Sequence, residues 1–220
     1  MSDNDEALLA RCSAIAVSSW SDALDELGIA GVMTGIAKRS GAGQMCGFAL
    51  TARQVPGPFG AFDKADFAVG RLVAATGPGK VLVVDVGGAP ISTLGGLASL
   101  ACTQRNATGV VIDGACRDVD EIRETGLWLA SRHVAPTTGK RRLQLQPLGG
   151  TIMAGGIKVE EGDLVVGDDT GIVVVPRSTL PAALEAAERI VAVDAEVERR
   201  VRAGSSFAEA AAASGYLPEQ

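Results

Sequence analysis

The stretch GVVIDGACRDVDEIRETG, residues 109–126, sets side chains that could hold an ion beside one that could hold an anion. An apolar run, Val110-Val111-Ile112, stops at Asp113-Gly114, and Arg117 and Asp118 follow just before an amphipathic segment. Two readings fit these residue types. Asp118, with Glu121 three residues on, has the spacing of a helix capping box, and Asp120 adds charge that suits a helix start. Arg117 is then a solvated neighbour. On the other reading, Asp113, Arg117 and Asp118 gather at the C-terminal end of a buried strand, where open α/β sheets place ligands. An aspartate there can hold a hard divalent cation while a guanidinium grips a carboxylate or enolate oxygen. Spacing alone does not separate the two.

A second candidate is Leu94-Gly95-Gly96-Leu97-Ala98. Small residues opening a helix leave backbone N–H groups free, and the helix dipole favours an anion there. By contrast, VLVVDVGGAP (residues 81–90) ends a strand in Asp-x-Gly-Gly but places Ala89-Pro90 where a nucleotide site needs further glycines. Those glycines read as a turn. His133 is the only histidine, so any bound ion would take oxygen ligands and water, and His133 itself reads as structural. No GxSxG occurs, which sets aside serine-hydrolase chemistry. A Schiff-base lysine is formally available at Lys38, Lys64, Lys80, Lys140 or Lys158, and no pattern selects one. The cluster Lys140-Arg141-Arg142 reads as a solvated loop.

The elements that must position these groups are legible in outline. Residues 4–28 look helical, with Ser18 to Asp22 as capping residues and Gly28 as a stop. Strands are expected at 45–52, 81–85 and 110–113, and helices at 64–75, 95–106 and 118–125. Two rounds of strand, glycine turn and helix point to an α/β core. After Trp128, short apolar runs at 148–153, 164–166 and 172–175 alternate with glycine-rich turns and suggest a compact β unit. Pro176 ends it, and Ser178 opens a long amphipathic helix reaching Arg202, with a short helix beyond Gly204.

Bulk properties bound the function. The chain has 220 residues, a formal charge of −6 and 47% hydrophobic residues. That charge gives no electrostatic case for nucleic-acid binding. The acidic N-terminus is unlike a signal peptide, and no apolar run reaches the roughly 18 residues of a membrane span. Four cysteines, at 12, 46, 102 and 116, lack metal-knuckle, CxxC or disulfide-framework spacing, so a reducing cytoplasm is expected.

Six segments together carry a likeness: DALDELG (22–28), GFALTAR (47–53), GPGKVLVVD (77–85), LGGLASLAC (94–102), GVVIDGACRD (109–118) and GDLVVGDDTGIVVVPR (162–177). In order and spacing the chain resembles the RraA-like family over roughly residues 15–205, with the DGxxRD element as its most specific part. That family includes divalent-metal-dependent 4-hydroxy-4-methyl-2-oxoglutarate/4-carboxy-4-hydroxy-2-oxoadipate aldolases. It has also been labelled a menaquinone methyltransferase, which the incomplete glycine motif argues against. The resemblance implies one domain over 1–220 with a C-terminal helical segment from about 178. The implied fold is an α/β/β/α sandwich with a swivelling β/β/α core, assembled as a homotrimer or homohexamer with sites at subunit interfaces.

The resemblance also implies roles. Asp118 matches the metal-coordinating aspartate and Arg117 the arginine that binds the pyruvoyl part of a small 2-oxo acid. The backbone at Gly95, Gly96 and Leu97 matches the turn that receives the carboxylate and oxo group. Mg²⁺ or Mn²⁺ would stabilise the enolate released by retro-aldol cleavage, and oxaloacetate decarboxylation would pass through the same enolate. One departure stands out: active aldolases of the family usually carry an acid or amide where this chain has Gly96. Asp113, Asp85, or Glu196 or Glu198 from a neighbouring subunit are the candidate substitutes. The alternative is a non-catalytic RraA-like ring that binds a protein and regulates RNA degradation.

Overall fold

The computed structural model describes residues 3–216. In chain order the elements are α1 (Asp3–Cys12), α2 (Val17–Glu26), β1 (Ala37–Ser40), β2 (Met45–Pro56), a 3-10 turn (Lys64–Phe67), α3 (Val69–Ala75), β3 (Lys80–Asp85), β4 (Ser92–Leu94), α4 (Gly96–Gln104), β5 (Gly109–Cys116) and α5 (Val119–Thr125). Then follow β6 (Leu129–Val134), β7 (Leu143–Leu145), β8 (Ile152–Ala154), β9 (Ile157–Val159), β10 (Leu164–Gly167), β11 (Ile172–Val175), α6 (Leu180–Arg202) and α7 (Phe207–Ser214).

The main sheet runs β1-β6-β5-β3-β2-β10-β11, with β4 added to β5 and β7 to β2. Its centre, β2-β3-β5-β6, is parallel, while β1, β10 and β11 join antiparallel. Alternation along the strands explains the layering. Leu82, Val84, Val110 and Ile112 face α3, α4 and α5. Leu164, Val166, Val173 and Val175 face α1, α2 and α6. The intervening residues Val81, Val83, Val111, Val165 and Val174 share an inner cluster with Ile152 and Val159 of the β8–β9 hairpin. Each strand is therefore buried on both faces, which is why its sequence is almost uninterrupted Val, Ile and Leu. The result is the α/β/β/α sandwich.

Several expectations need correcting. Residues 4–28 form two helices, and Ser18 to Asp22 lie inside α2, whose N-cap is Ala16. β5 continues to Cys116, three residues beyond the expected end. The segment after Trp128 is no separate β unit: β6, β10 and β11 join the main sheet, and only β8–β9 stands apart. Residues 148–151 are not strand. Gly87 and Gly88, with φ of 63° and 72°, do form the expected turn. No helix among the described residues is long and apolar enough to cross a membrane.

Candidate active site

Two parallel strands bring the two candidate motifs together. β4 pairs with the end of β5, Ser92 opposite Ala115 and Leu94 opposite Cys116, and the Arg117 N–H donates to the Leu94 carbonyl at 3.0 Å. The Gly95-Gly96 turn that leaves β4 therefore lies against the Arg117-Asp118 turn that leaves β5. Helices α4 and α5 start side by side above the sheet, and the first turn of each faces the other.

Neither glycine of the first turn has room for a side chain unless its neighbours shift. A Cβ at Gly95 would overlap the Asp118 Oδ2 and come within 3.1 Å of the Arg117 Cγ. A Cβ at Gly96 would overlap the Glu121 Oε2 and stand 2.7 Å from the Glu121 Cβ. The volume that a side chain at 96 would fill is held by the carboxylate of Glu121, one helical turn beyond Asp118.

The capping-box reading of Asp118 fails. Asp118 occupies the N-cap of α5 with left-handed backbone (φ 55°, ψ 45°), and its side chain makes no capping hydrogen bond. Instead the Gly96 N–H donates to its Oδ2 at a long 3.4 Å, and the Arg117 Nε stands 3.5 Å from the same oxygen. Asp118 is 38% exposed and Glu121 is exposed. The start of α4 is equally open, because its N-cap, Gly95, has no side chain to satisfy the free N–H groups.

These groups line one cavity of about 680 Å³ that includes Gly95, Leu97, Arg117, Asp118, Glu121 and Lys140. Val69, Val73, Ala98 and Ala101 give it an apolar wall. Of the residues expected at a site, Arg117, Asp118, Gly95 and Leu97 line the cavity, with Gly96 in its turn. The supporting acids do not. Asp113 points to the opposite face of the sheet, where it accepts from the Arg132 Nε at 2.5 Å and the Gly155 N–H at 2.8 Å. That bond holds the Arg132 guanidinium above its already high range. Asp85, its register neighbour on β3, accepts from the Gly87 N–H at 2.8 Å and faces Arg53.

Glu196 and Glu198 lie on α6, outside the cavity of their own chain. Hydrogen bonds from Arg199 and Arg200 lower the Glu196 carboxyl to about 2, and Glu198 pairs with Arg202. The His133 Nε2–H donates to the Gly88 carbonyl at 3.0 Å, and His133 does not line the cavity.

Two cavity residues were read from the sequence in other roles. Glu121 was absorbed by the cap pattern, although its spacing from Asp118 was the available signal. Lys140 was absorbed by the solvated basic loop; there the Arg141 and Arg142 guanidinium groups in fact stack on Phe59 at 4.9 and 4.8 Å.

The family model described as RraA-like, Aldolase/RraA, matches residues 17–174. The chain belongs to the RraA-like family. A protein of Methanocaldococcus jannaschii is 34% identical over 125 residues, a match covering 57% of this chain and 60% of that protein. A Halalkalibacterium halodurans protein named "Putative 4-hydroxy-4-methyl-2-oxoglutarate aldolase" is 26% identical over 202 residues, 91% of each chain. The crystal structure of Streptomyces coelicolor RraAS2, described as an unusual member of the RNase ES inhibitor RraA protein family, superposes with a TM-score of 0.73. It is 26% identical and covers 90% of this RraA-like chain and 96% of its own.

Proposed function

We propose that this RraA-like protein is a divalent-metal-dependent lyase that cleaves a 4-hydroxy-2-oxo acid to pyruvate and also decarboxylates oxaloacetate. The observation that carries the reading is that Glu121 fills the space of a side chain at 96, beside Asp118 and over the start of α4. Among the described residues no three His, Cys, Asp or Glu side chains converge on a point. Two carboxylates suffice for Mg²⁺ or Mn²⁺, hard ions that take one or two protein carboxylates and complete their shells with water and substrate oxygens. Asp118 and Glu121 would hold the ion. When bound, it supplies Lewis-acid polarisation of the 2-oxo group.

The chain's own groups do the rest. The free N–H at Leu97, at the positive end of α4, receives the substrate's 1-carboxylate. Cleavage removes the 4-hydroxyl proton, turns the C4–O bond into a carbonyl and moves the C3–C4 pair into the enolate of pyruvate. Arg117 faces the oxygen that gains this charge, so its contribution grows towards the transition state. Protonation at C3 completes pyruvate. With oxaloacetate the same C3–C4 pair is released by loss of CO₂. No histidine lines the cavity, so water carries the protons. The reading takes residues 1–220 as one domain in a homotrimer or homohexamer, in which Glu196 or Glu198 would reach a neighbouring copy's cavity.

The test is pyruvate release from oxaloacetate and from 4-hydroxy-4-methyl-2-oxoglutarate with Mg²⁺, Mn²⁺ or EDTA. Asp118→Asn should lower metal-dependent kcat by about 10²- to 10³-fold, and Asn tolerates the left-handed backbone. Turnover that survives EDTA, or is unchanged in the variant, would sink the reading.

A second reading, a protein-binding ring, is favoured by Leu97, 84% exposed at the cavity mouth, by its half-exposed neighbour Leu100 and by the name of the Streptomyces protein. It predicts no turnover, and partner capture that is indifferent to Arg117→Ala.

A further inference from the structure

We propose that the wall formed by α3 and α4 takes an apolar substituent on C4 of the substrate, so that cleavage releases pyruvate and an alkyl aldehyde or ketone. The inference rests on the lyase reading and deepens it. The cavity has two unlike sides, because α4 packs against α5 on one flank and α3 on the other. Arg117, Asp118 and Glu121 belong to the α5 side. Every residue that α3 and α4 contribute to the lining is apolar or glycine, with Val69, Val73, Ala98 and Ala101 forming the wall. A cavity of about 680 Å³ leaves most of its space free once a three-carbon pyruvoyl group lies against Arg117.

The hydroxyls nearby do not make that space polar. Ser92 and Thr93 line the cavity but are buried, and their protons are spent inside the fold. Ser92 donates to the Leu94 carbonyl at 2.9 Å and Thr93 to the Gln54 Oε1 at 2.7 Å. Lys140, the remaining lining charge, is exposed. A carboxylate against α3 would therefore lose water and gain no partner, whereas an alkyl group gains by leaving water.

The wall is also built before any ligand arrives. Phe67 is buried beneath it, the Gln54 Nε2 donates to the Phe67 carbonyl at 3.3 Å, and a Cβ on Gly139 would overlap the Phe67 ring. Ala68, in left-handed backbone (φ 41°), turns the chain from the 3-10 turn into α3, where Val69 and Val73 fall four residues apart on one face. Ala98 and Ala101 are small, so α4 leaves room opposite the two valines.

The test has a binding arm and a turnover arm, both with Mg²⁺. Calorimetric titration uses 2-oxobutanoate, 2-oxohexanoate and 2-oxooctanoate, which cannot be cleaved and whose tails follow the path of the C4 substituent. Affinity should rise about 2- to 4-fold per methylene, with an increasingly negative heat-capacity change. 2-Oxoglutarate should bind more weakly than 2-oxopentanoate, its equal in chain length. Pyruvate release is then measured from 4-hydroxy-2-oxo acids bearing methyl, propyl or pentyl on C4, beside 4-hydroxy-4-methyl-2-oxoglutarate and oxaloacetate. The kcat/KM should climb along the alkyl series. Val73→Thr, which keeps the shape and adds a hydroxyl, and Ala101→Leu, which fills the space, should each cut the advantage of the longest member by about 10-fold.

Flat affinity along the series, or tighter binding of 2-oxoglutarate than of 2-oxopentanoate, would overturn the assignment, while turnover of either acidic substrate would keep the lyase standing. A flat series joined to a change of assembly size in Val73→Thr on sedimentation would also overturn it, giving the wall to a contact between copies. If none of these acids releases pyruvate, the lyase reading falls and takes this proposal with it.

Discussion

Two pairs of acids lie on or just beyond the neighbouring parallel strands β3 and β5, and they have opposite fates. Asp85 and Asp113 sit across from one another on β3 and β5, with side chains only 10% and 9% exposed. Each accepts a backbone N–H and faces an arginine. Asp118 and Glu121 follow the same β5 on the other side of the sheet, open to a cavity, and Asp118 receives a single long hydrogen bond. The difference lies in partners, not in residue type. A carboxylate whose lone pairs the chain itself fills is committed to folding, and one left short of partners over a cavity is available to a ligand.

The contrast is broken most severely from the folding side. Asp113→Ala leaves the partly buried Arg132 without its counter-charge and the Gly155 N–H without its acceptor. Losing one partner of a buried pair costs about 3 kcal/mol, to be read in urea unfolding. Metal-dependent turnover per folded molecule should not change.

Glu121→Gln should do the reverse, leaving stability intact and raising the Mn²⁺ concentration for half-saturation by about 10- to 100-fold. Calorimetric titration measures this without reference to catalysis. If Glu121→Gln binds Mn²⁺ as tightly as the wild type, Glu121 is no ligand.

The smallest effect sharpens the comparison. Glu196 is a partly exposed carboxylate whose partners, Arg199 and Arg200, hold it at about 2. A depressed carboxyl contributes stability above the ordinary glutamate value and loses it as pH falls through about 2. Because this group is solvated, Glu196→Gln should shift the melting temperature only slightly at neutral pH, and the difference should vanish in strong acid. A large shift would mean that α6 depends on this pair.

Much of this was legible before any coordinates. The buried strands 81–85 and 110–113 announced themselves by unbroken apolar runs ending in Asp and Gly, and the Arg117-Asp118 pair by its place just beyond. What the sequence withheld was which side of the sheet each acid takes. Period-two alternation groups Asp85 and Asp113 with Val83 and Val111, yet only the packing of α3 to α5 against Val84 and Ile112 tells which face holds the cavity. The pairing of β10 with β2 was invisible for a similar reason, since it joins segments more than a hundred residues apart. Glu121 and Lys140 were hidden differently: each satisfied a local pattern, a cap or a solvated loop, that the fold does not use.

The backbone of Asp118 has a consequence for how this chain could change over time. Left-handed geometry costs an ordinary L-residue about 1–2 kcal/mol and glycine almost nothing. Selection for folding alone would therefore let position 118 drift to glycine, which would relieve the strain and close no cavity. The aspartate there is a standing conformational debt, and on the proposed lyase reading a related chain that carries glycine in its place should keep the fold without the chemistry.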